Sequence, residues 1–229
     1  MRGLIRFATL SLALVFSEPA RPQVPPSEGE LRSYAGLHAA AARGDAADIE
    51  KLVKAGARID AQDSRSRTPL HVAAFFRRHD AARTLIRLGA NVNALEQQQY
   101  DVITIASVND DVEMLKIAIA GGGNARAITS PYQGTALIAA AHLGHADIVR
   151  TLIAAKAPLD HVNNLGWTAL IESIVLGNGG KGHIDTLEAL VKAGANVNLA
   201  DRNGSSPLAL ARGRGYTEMV KILEAAGAR

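Results

Sequence analysis

The sequence contains no cysteine, which excludes disulfide bonds, thiolate catalysis, cysteine-based metal sites and lipid attachment through sulfur. Aromatic residues make up only 4% of the chain, which argues against a β-sandwich or β-barrel, where aromatic and β-branched residues dominate. No run of Lys and Arg exceeds two residues, so the sequence lacks the basic patch of a nucleic-acid-binding protein. Hydrophobic residues nevertheless reach 48%. Much of this fraction is alanine, which favours closely packed helices.

Residues 1–17 predict an export signal, because a basic region with Arg2 and Arg6 precedes the uncharged, largely apolar run 7–16. This run is too short for a relaxed membrane span, which needs roughly 20 apolar residues. Val15 and Ser17 are small enough to precede cleavage after Ser17, and retention as an uncleaved anchor is the alternative. The whole chain has 25 Lys and Arg and 22 Asp and Glu. Cleavage would remove Arg2 and Arg6 and leave 23 basic residues against 22 acidic ones. We therefore expect a nearly neutral mature protein in the periplasm or outside the cell, with no stable membrane span.

The remaining chain divides into a linker and a repeat array. Four prolines between Pro19 and Pro26 predict an extended, solvated linker over residues 18–30. In residues 31–229, the stretch KAGARIDAQD (54–63) recurs as KAGANVNLAD (192–201). Equivalent threonine-like positions are Ala35, Thr68, Asp101, Thr135, Thr168 and Ser206, at spacings of 33, 33, 34, 33 and 38 residues. The longest spacing contains an insertion, NGGKG, at residues 178–182.

A 33-residue period with the sequence T-P-L-H at 68–71, an alanine pair, and then G-A-N-V-N at 194–198 resembles the ankyrin repeat. The resemblance implies an all-α solenoid of about six helix-turn-helix repeats joined by short hairpin loops. The residues are consistent with this, since Thr68 can cap a helix that Pro69 begins. Glycines such as Gly56 stand where the second helix must end in a left-handed residue, although Lys156 takes that place in one repeat.

Catalytic and cofactor motifs are not evident in the sequence. It has neither H-E-x-x-H nor G-x-S-x-G, and the stretch GNGGKGH at 177–183 lacks the spacing of a phosphate-binding loop. In the ankyrin resemblance His38 and His71 form hydrogen bonds between repeats. A metal site made of His142, His145 and His161 has no carboxylate ligand at suitable spacing. We therefore expect no enzyme activity, no cofactor and no metal.

The resemblance implies that a protein partner binds at the hairpin tips and at the concave face formed by the first helices. Transferring those positions one at a time gives a predicted partner-binding set: Arg43, Arg65, Arg67, Phe75, Phe76, Tyr100, Asn109, Tyr132, His142, Leu165, Trp167, Leu176 and Arg214. Tyr, Trp and Arg are the residue types enriched at binding hot spots. We expect Phe75, Tyr100 and Trp167 to be exposed, while Phe76 either is exposed or packs between repeats.

The sequence further resembles the small exported ankyrin proteins of bacteria. This resemblance implies a non-catalytic, monomeric scaffold that acts as an immunity protein against a toxin or as a protective partner of a periplasmic enzyme. A secreted effector acting on host proteins is the alternative.

Overall fold

The computed structural model describes residues 23–229. Within this range the secondary structure is helical, apart from one isolated antiparallel bridge between Ile128 and Thr135. The predicted export signal lies outside the described residues. None of the helices from residue 23 onward is both long enough and apolar enough to cross a membrane.

A short helix, α1 (Glu28–Ser33), precedes six helix pairs. The first helices of the pairs are α2 (Gly36–Arg43), α4 (Pro69–Phe75), α6 (Val102–Val108), α8 (Ala136–Leu143), α10 (Ala169–Val175) and α12 (Pro207–Gly213). The second helices are α3 (Ala46–Lys54), α5 (His79–Arg87), α7 (Val112–Ala120), α9 (Ala146–Ala154), α11 (Lys181–Lys192) and α13 (Thr217–Ala225). The prediction of an all-α solenoid with six helix-turn-helix repeats is confirmed.

The helices form two layers, because each first helix packs on the first helices of its neighbours and each second helix packs on neighbouring second helices. One continuous core lies between the layers. It is built from small and branched side chains such as Ala73, Ala74, Leu85 and Leu152, all fully buried. A single repeat could not bury these faces alone, so stability is shared along the array.

Capping residues fix where the first helices begin. The Thr68 hydroxyl accepts a hydrogen bond from the backbone N–H of His71, and Pro69 occupies the first helical position, as the sequence predicts. Asp101 replaces the threonine in repeat 3, yet its carboxylate accepts the equivalent bond from Thr104 at 2.7 Å. The departure of repeat 3 from the T-P-L-H pattern therefore leaves the helix start intact.

Left-handed residues end the helices, as predicted. Gly56 has φ 89° and Gly194 has φ 93°, and Lys156 adopts φ 64° at the equivalent position. Arg77 has φ 53° in the turn between α4 and α5, where repeat 1 has Gly44 with φ 77°. Arg77 and Lys156 thus adopt the left-handed conformation that glycine has in other repeats, at a cost of about 1 kcal/mol or more for each residue.

The predicted linker and the insertion at 178–182 both include the start of a helix. The described end of the linker is extended only as far as Ser27, which caps α1 in a reciprocal capping box with Glu30, and it is not fully solvated, because Pro26 is buried. The insertion at 178–182 is not entirely a loop, because α11 begins at Lys181 with Gly180 as its N-cap. The inserted residues therefore lengthen the second helix of repeat 5 as well as its turn.

Candidate protein-binding surface

The ends of the first helices carry one part of the predicted partner-binding set. Their side chains range from exposed to half-buried: Arg43, Leu176 and Arg214 are exposed, and Phe75, Phe76, Asn109 and His142 are half-buried. Leu143, beside His142, is a further exposed apolar residue. The structure therefore places large, partly accessible side chains at equivalent positions of successive repeats.

Phe75 and Phe76 lie in similar environments, so the structure does not make one of them exposed and the other buried. Phe75 is the last residue of α4, and Phe76 is its C-cap. Both rings are half-buried and pack against the core. The expectation that Phe75 is exposed therefore holds only in part, because one side of its ring covers neighbouring apolar atoms.

Each hairpin is held by a polar side chain that precedes its tip. The carboxylate of Asp63 accepts from the backbone N–H groups of Arg65 and Arg67, at 2.8 and 2.9 Å. Asp201 does the same for the last hairpin. This bracing positions the tip residues of the predicted set, of which Arg65 is exposed and Tyr132, Leu165 and Trp167 are half-buried. The expectation that Trp167 is exposed therefore holds only in part.

The prediction that Arg67 lies on the binding surface is wrong, because its side chain is fully buried. Its guanidinium donates to Asp63 at 2.7 Å, to the carboxylate of Glu30, and to the carbonyl of Val24 at 3.5 Å. The N-terminal segment that carries Glu30 covers this hairpin. A buried arginine needs such paired acceptors, so Arg67 acts as a structural residue that joins the N-terminal segment to repeat 1.

The prediction that Tyr100 is exposed on the binding surface is also wrong, since Tyr100 is only 7% exposed and belongs to the core. Its backbone N–H donates to the carboxylate of Glu96 at 3.2 Å, which braces the hairpin of repeat 3. Burial raises the pKa of Tyr100. The aromatic ring contributes apolar contact at the start of repeat 3 and is not available as an exposed anchor.

A column of exposed apolar residues, one in each of three successive repeats, was not predicted from the sequence. Leu95, Ile128 and Val162 are 44, 54 and 45% exposed. Each lies six residues after the left-handed residue that ends the preceding second helix, which is Gly89, Gly122 or Lys156. They hold the same position in three successive repeats, where Gln62 and Ala200 stand in other repeats. Reading this column of the repeat register would have identified them. Contiguous exposed apolar side chains mark interaction surfaces.

The histidines link successive repeats, as the resemblance implies for His38 and His71. His38 bonds the carbonyl of Arg67 at 2.9 Å, and His71 bonds that of Ala94 at 3.0 Å. Burial lowers the pKa of His71 to about 4, so this imidazole is neutral near neutral pH. Within residues 23–229, no group of three or more His, Asp and Glu side chains is placed to hold a metal ion.

A buried polar cluster lies beside the surface residues of repeats 4 and 5. The Glu172 carboxyl on α10 accepts from Asn163 Nδ2 at 2.8 Å, and its second oxygen lies 3.5 Å from His142 Nδ1. Burial raises the pKa of Glu172 to about 7. Burial, together with the neighbouring His183, lowers the pKa of His142. The Glu172 side chain is only 5% exposed, whereas that of His142 is 33% exposed.

Comparisons with known proteins agree with this architecture. The family model for ankyrin repeats in three copies matches residues 24–96 and 103–199. The ankyrin repeat protein YahD of Escherichia coli K12 is 32% identical over 190 residues, which cover 82% of this chain and 94% of that protein. The homolog of B-cell lymphoma 3 protein from Mus musculus is 29% identical, and the match covers 84% of this chain but only 44% of that protein.

Two solved structures are similar over most of the chain. An ankyrin repeat domain from Acinetobacter baumannii AYE has 44% identity and a TM-score of 0.81, with 84% of this chain and 98% of that chain covered. A chain of the complex between a predatory endopeptidase from Bdellovibrio bacteriovorus and an immunity protein has 25% identity and a TM-score of 0.71, with the same coverage. The chain therefore belongs to the ankyrin repeat family, whose members are generally non-catalytic scaffolds that bind proteins.

Proposed function

We propose that this protein is an exported scaffold that binds one folded protein along its hairpin tips and the exposed ends of its first helices. The observation that carries the proposal is the recurrence of accessible apolar side chains at equivalent repeat positions. Leu95, Ile128 and Val162 form one column, and Leu143 and Leu176 end successive first helices with 40 and 41% exposure. A partner that covers several repeats would remove all of this apolar area from water.

The partner is proposed to be an enzyme or a toxin that the scaffold inhibits or protects. The similar chain found in a complex of an endopeptidase with an immunity protein supports this class of partner. The apolar N-terminal residues of the sequence support export, which would place scaffold and partner in the same compartment. Inhibition and protection both require a stable interface and no chemistry from the scaffold itself.

The test is capture of the partner by the tagged full-length protein from the envelope fraction of its native cells, with identification by mass spectrometry. Trp167→Ala removes the one tryptophan of the chain from the surface, and Lys116→Ala changes an exposed residue of α7 as the matched control. We expect a single partner retained by the wild type and the control and lost by Trp167→Ala. Equal capture by all three proteins would contradict the proposed surface.

The subcellular location is tested separately. Fusion of residues 1–22 to a reporter enzyme that folds only after export should give activity outside the cytoplasm. A reporter that remains cytoplasmic would remove export from the proposal while leaving protein binding to be judged by the capture experiment.

A further inference from the structure

Asn163 connects the buried carboxyl of Glu172 to a hairpin of the proposed surface. Its Oδ1 accepts from the backbone N–H groups of Leu165 and Trp167, both at 3.0 Å. Its Nδ2 donates to Glu172 at 2.8 Å. The equivalent bracing residues Asp63 and Asp201 have no amide hydrogen, so only Asn163 among these three can hold a second carboxyl.

Glu172 has an incomplete set of charge partners. His142 on α8 is its one basic neighbour within 4.0 Å among the described ion pairs, and the separation of 3.5 Å is longer than a good hydrogen bond. On α11, His183 bonds the carbonyl of His142 at 2.9 Å, and on α12 Arg212 is paired with Glu224 at 2.6 Å. A buried carboxylate without a cation is costly, so the protonated form is favoured.

We propose that Asn163, Glu172 and His142 form a proton-linked relay that couples ionisation of the buried carboxyl to the hairpin carrying Leu165 and Trp167. The protonated carboxyl donates towards the neutral imidazole of His142 and still accepts from Asn163. Loss of this proton to solvent leaves a buried negative charge, which strengthens the bond from Asn163 and favours the neutral tautomer of His142 whose Nδ1–H donates to the carboxylate. Both changes reach side chains of the proposed surface.

The direction of the pH effect follows from the protonation states. Burial raises the pKa of Glu172 to about 7, above its value in the unfolded chain. The folded protein therefore holds an extra proton between about pH 4.5 and pH 7. The contribution of Glu172 to stability is fully present at low pH and is lost as the pH rises through about 7. His142, whose pKa is lowered, contributes with the opposite sign, losing stability as the pH falls.

The test uses the free protein and its one tryptophan, Trp167. We expect the fluorescence emission of the wild type to change with a midpoint near pH 7, and Glu172→Gln to abolish this transition. Glu188→Gln on α11, where the Glu188 side chain is 45% exposed and pairs with Lys192, is the matched control and should retain the transition. A flat wild-type emission, or a transition unchanged in Glu172→Gln, would overturn the relay.

Two further measurements protect this test against a folding artefact. Glu172→Gln keeps an acceptor for Asn163 and gains a donor for His142, and it carries no charge. The variant should therefore melt at a higher temperature than the wild type at about pH 8 and at nearly the same temperature at about pH 5. Asn163→Asp retains the hairpin bonds but places a second carboxylate beside Glu172, and should move the fluorescence midpoint to higher pH. A melting difference that is constant with pH, or an unmoved midpoint, would contradict the proposal.

The relay concerns the proposed binding surface, and in that respect it rests on the proposed function. The fluorescence and melting experiments need no partner, so they can succeed even if the proposed partner class is wrong. If a partner is captured and its affinity is the same at about pH 6 and about pH 8 while the fluorescence transition persists, the relay exists but the partner does not contact this hairpin. That outcome would overturn its regulatory part.

Discussion

Arg67 in the first hairpin donates to the carboxylate of Glu30, which precedes it by 37 residues. The contact fastens α1 across the tip between repeats 1 and 2. Tyr34, immediately after α1, donates from its hydroxyl to Asp63 at 2.6 Å. We call the contacts among Glu30, Tyr34, Asp63 and Arg67 the clasp. Each later repeat packs against the repeat before it. The first repeat has no such neighbour, and ion pairs and hydrogen bonds to the N-terminal segment take its place.

Arg67→Met is expected to destabilise the protein by about 3 kcal/mol, because it leaves the nearly buried carboxylate of Asp63 without its cation and removes one of the two arginines that pair with Glu30. Arg65→Met is the matched control, since Arg65 also contacts Glu30 but is 44% exposed. An exposed ion pair contributes at most about 1 kcal/mol. Urea denaturation of both variants measures the difference. Equal, small effects would show that the clasp contributes little to folding.

The clasp also predicts loss of stability in acid. The backbone N–H of Ser27, its hydroxyl and the guanidinium of Arg67 hold the pKa of Glu30 at about 2. Burial alone would raise the pKa of Asp63, but hydrogen bonds from Tyr34 and Arg67 outweigh it and keep that pKa below its usual range.

Because these pKa values are lower in the folded state, the stability they provide is present above about pH 4.5 and is lost as the pH falls towards about 2. Glu30→Gln should be less stable than the wild type at neutral pH and should approach it in acid. Melting temperatures measured across this range test the sign. A difference that grows as the pH falls would contradict the assignment of Glu30 to the clasp.

Lys156→Gly is expected to stabilise the protein by about 0.5–1 kcal/mol. Lys156 has φ 64°, and relief of this left-handed strain, about 1–2 kcal/mol, exceeds the entropy cost of glycine, about 0.5–1 kcal/mol. Lys51→Gly, within α3, serves as the control and should cost about 1 kcal/mol. Chemical denaturation distinguishes the two signs, and destabilisation by both changes would mean that Lys156 makes a compensating contact.

The sequence predicts the architecture well because the repeat imposes the same local chemistry many times. Caps such as Thr68 and Thr168 and turn glycines such as Gly56 act within a few residues, so their roles can be derived from spacing alone. Exposure is less predictable, because it depends on contacts with other repeats. Arg67 is buried by Glu30 from outside the repeat array, and no local pattern in the hairpin indicates that segment.

The candidate surface illustrates the same limit. The sequence identifies Leu165 and Trp167 by position, and both are partly accessible. Tyr100 has the equivalent position to Trp167 but lies in the core, so register alone does not separate an anchor from a packing residue. Ile128 was not predicted, because it lies seven residues before Thr135, outside the hairpin and helix-end positions that the resemblance carries over.

Partner binding should depend on the column of Leu95, Ile128 and Val162. Changing Ile128 to Ser removes the most exposed of the three, and we expect it to weaken partner binding by about 1–2 kcal/mol, as for an interfacial apolar residue near the centre of a contact. Since Ile128 is 54% exposed, its effect on folding stability should stay within about 0.5 kcal/mol.

The control for this column is Ile148→Ser in α9, whose side chain is fully buried. That change should destabilise the fold by several kcal/mol, because it removes core contacts and buries a hydroxyl. Isothermal titration with the captured partner, together with urea denaturation, separates binding from folding. If the triple change of Leu95, Ile128 and Val162 to Ser leaves affinity intact, the hairpin column is not the interface, and the partner must contact the ends of the first helices near Leu143 and Leu176 instead.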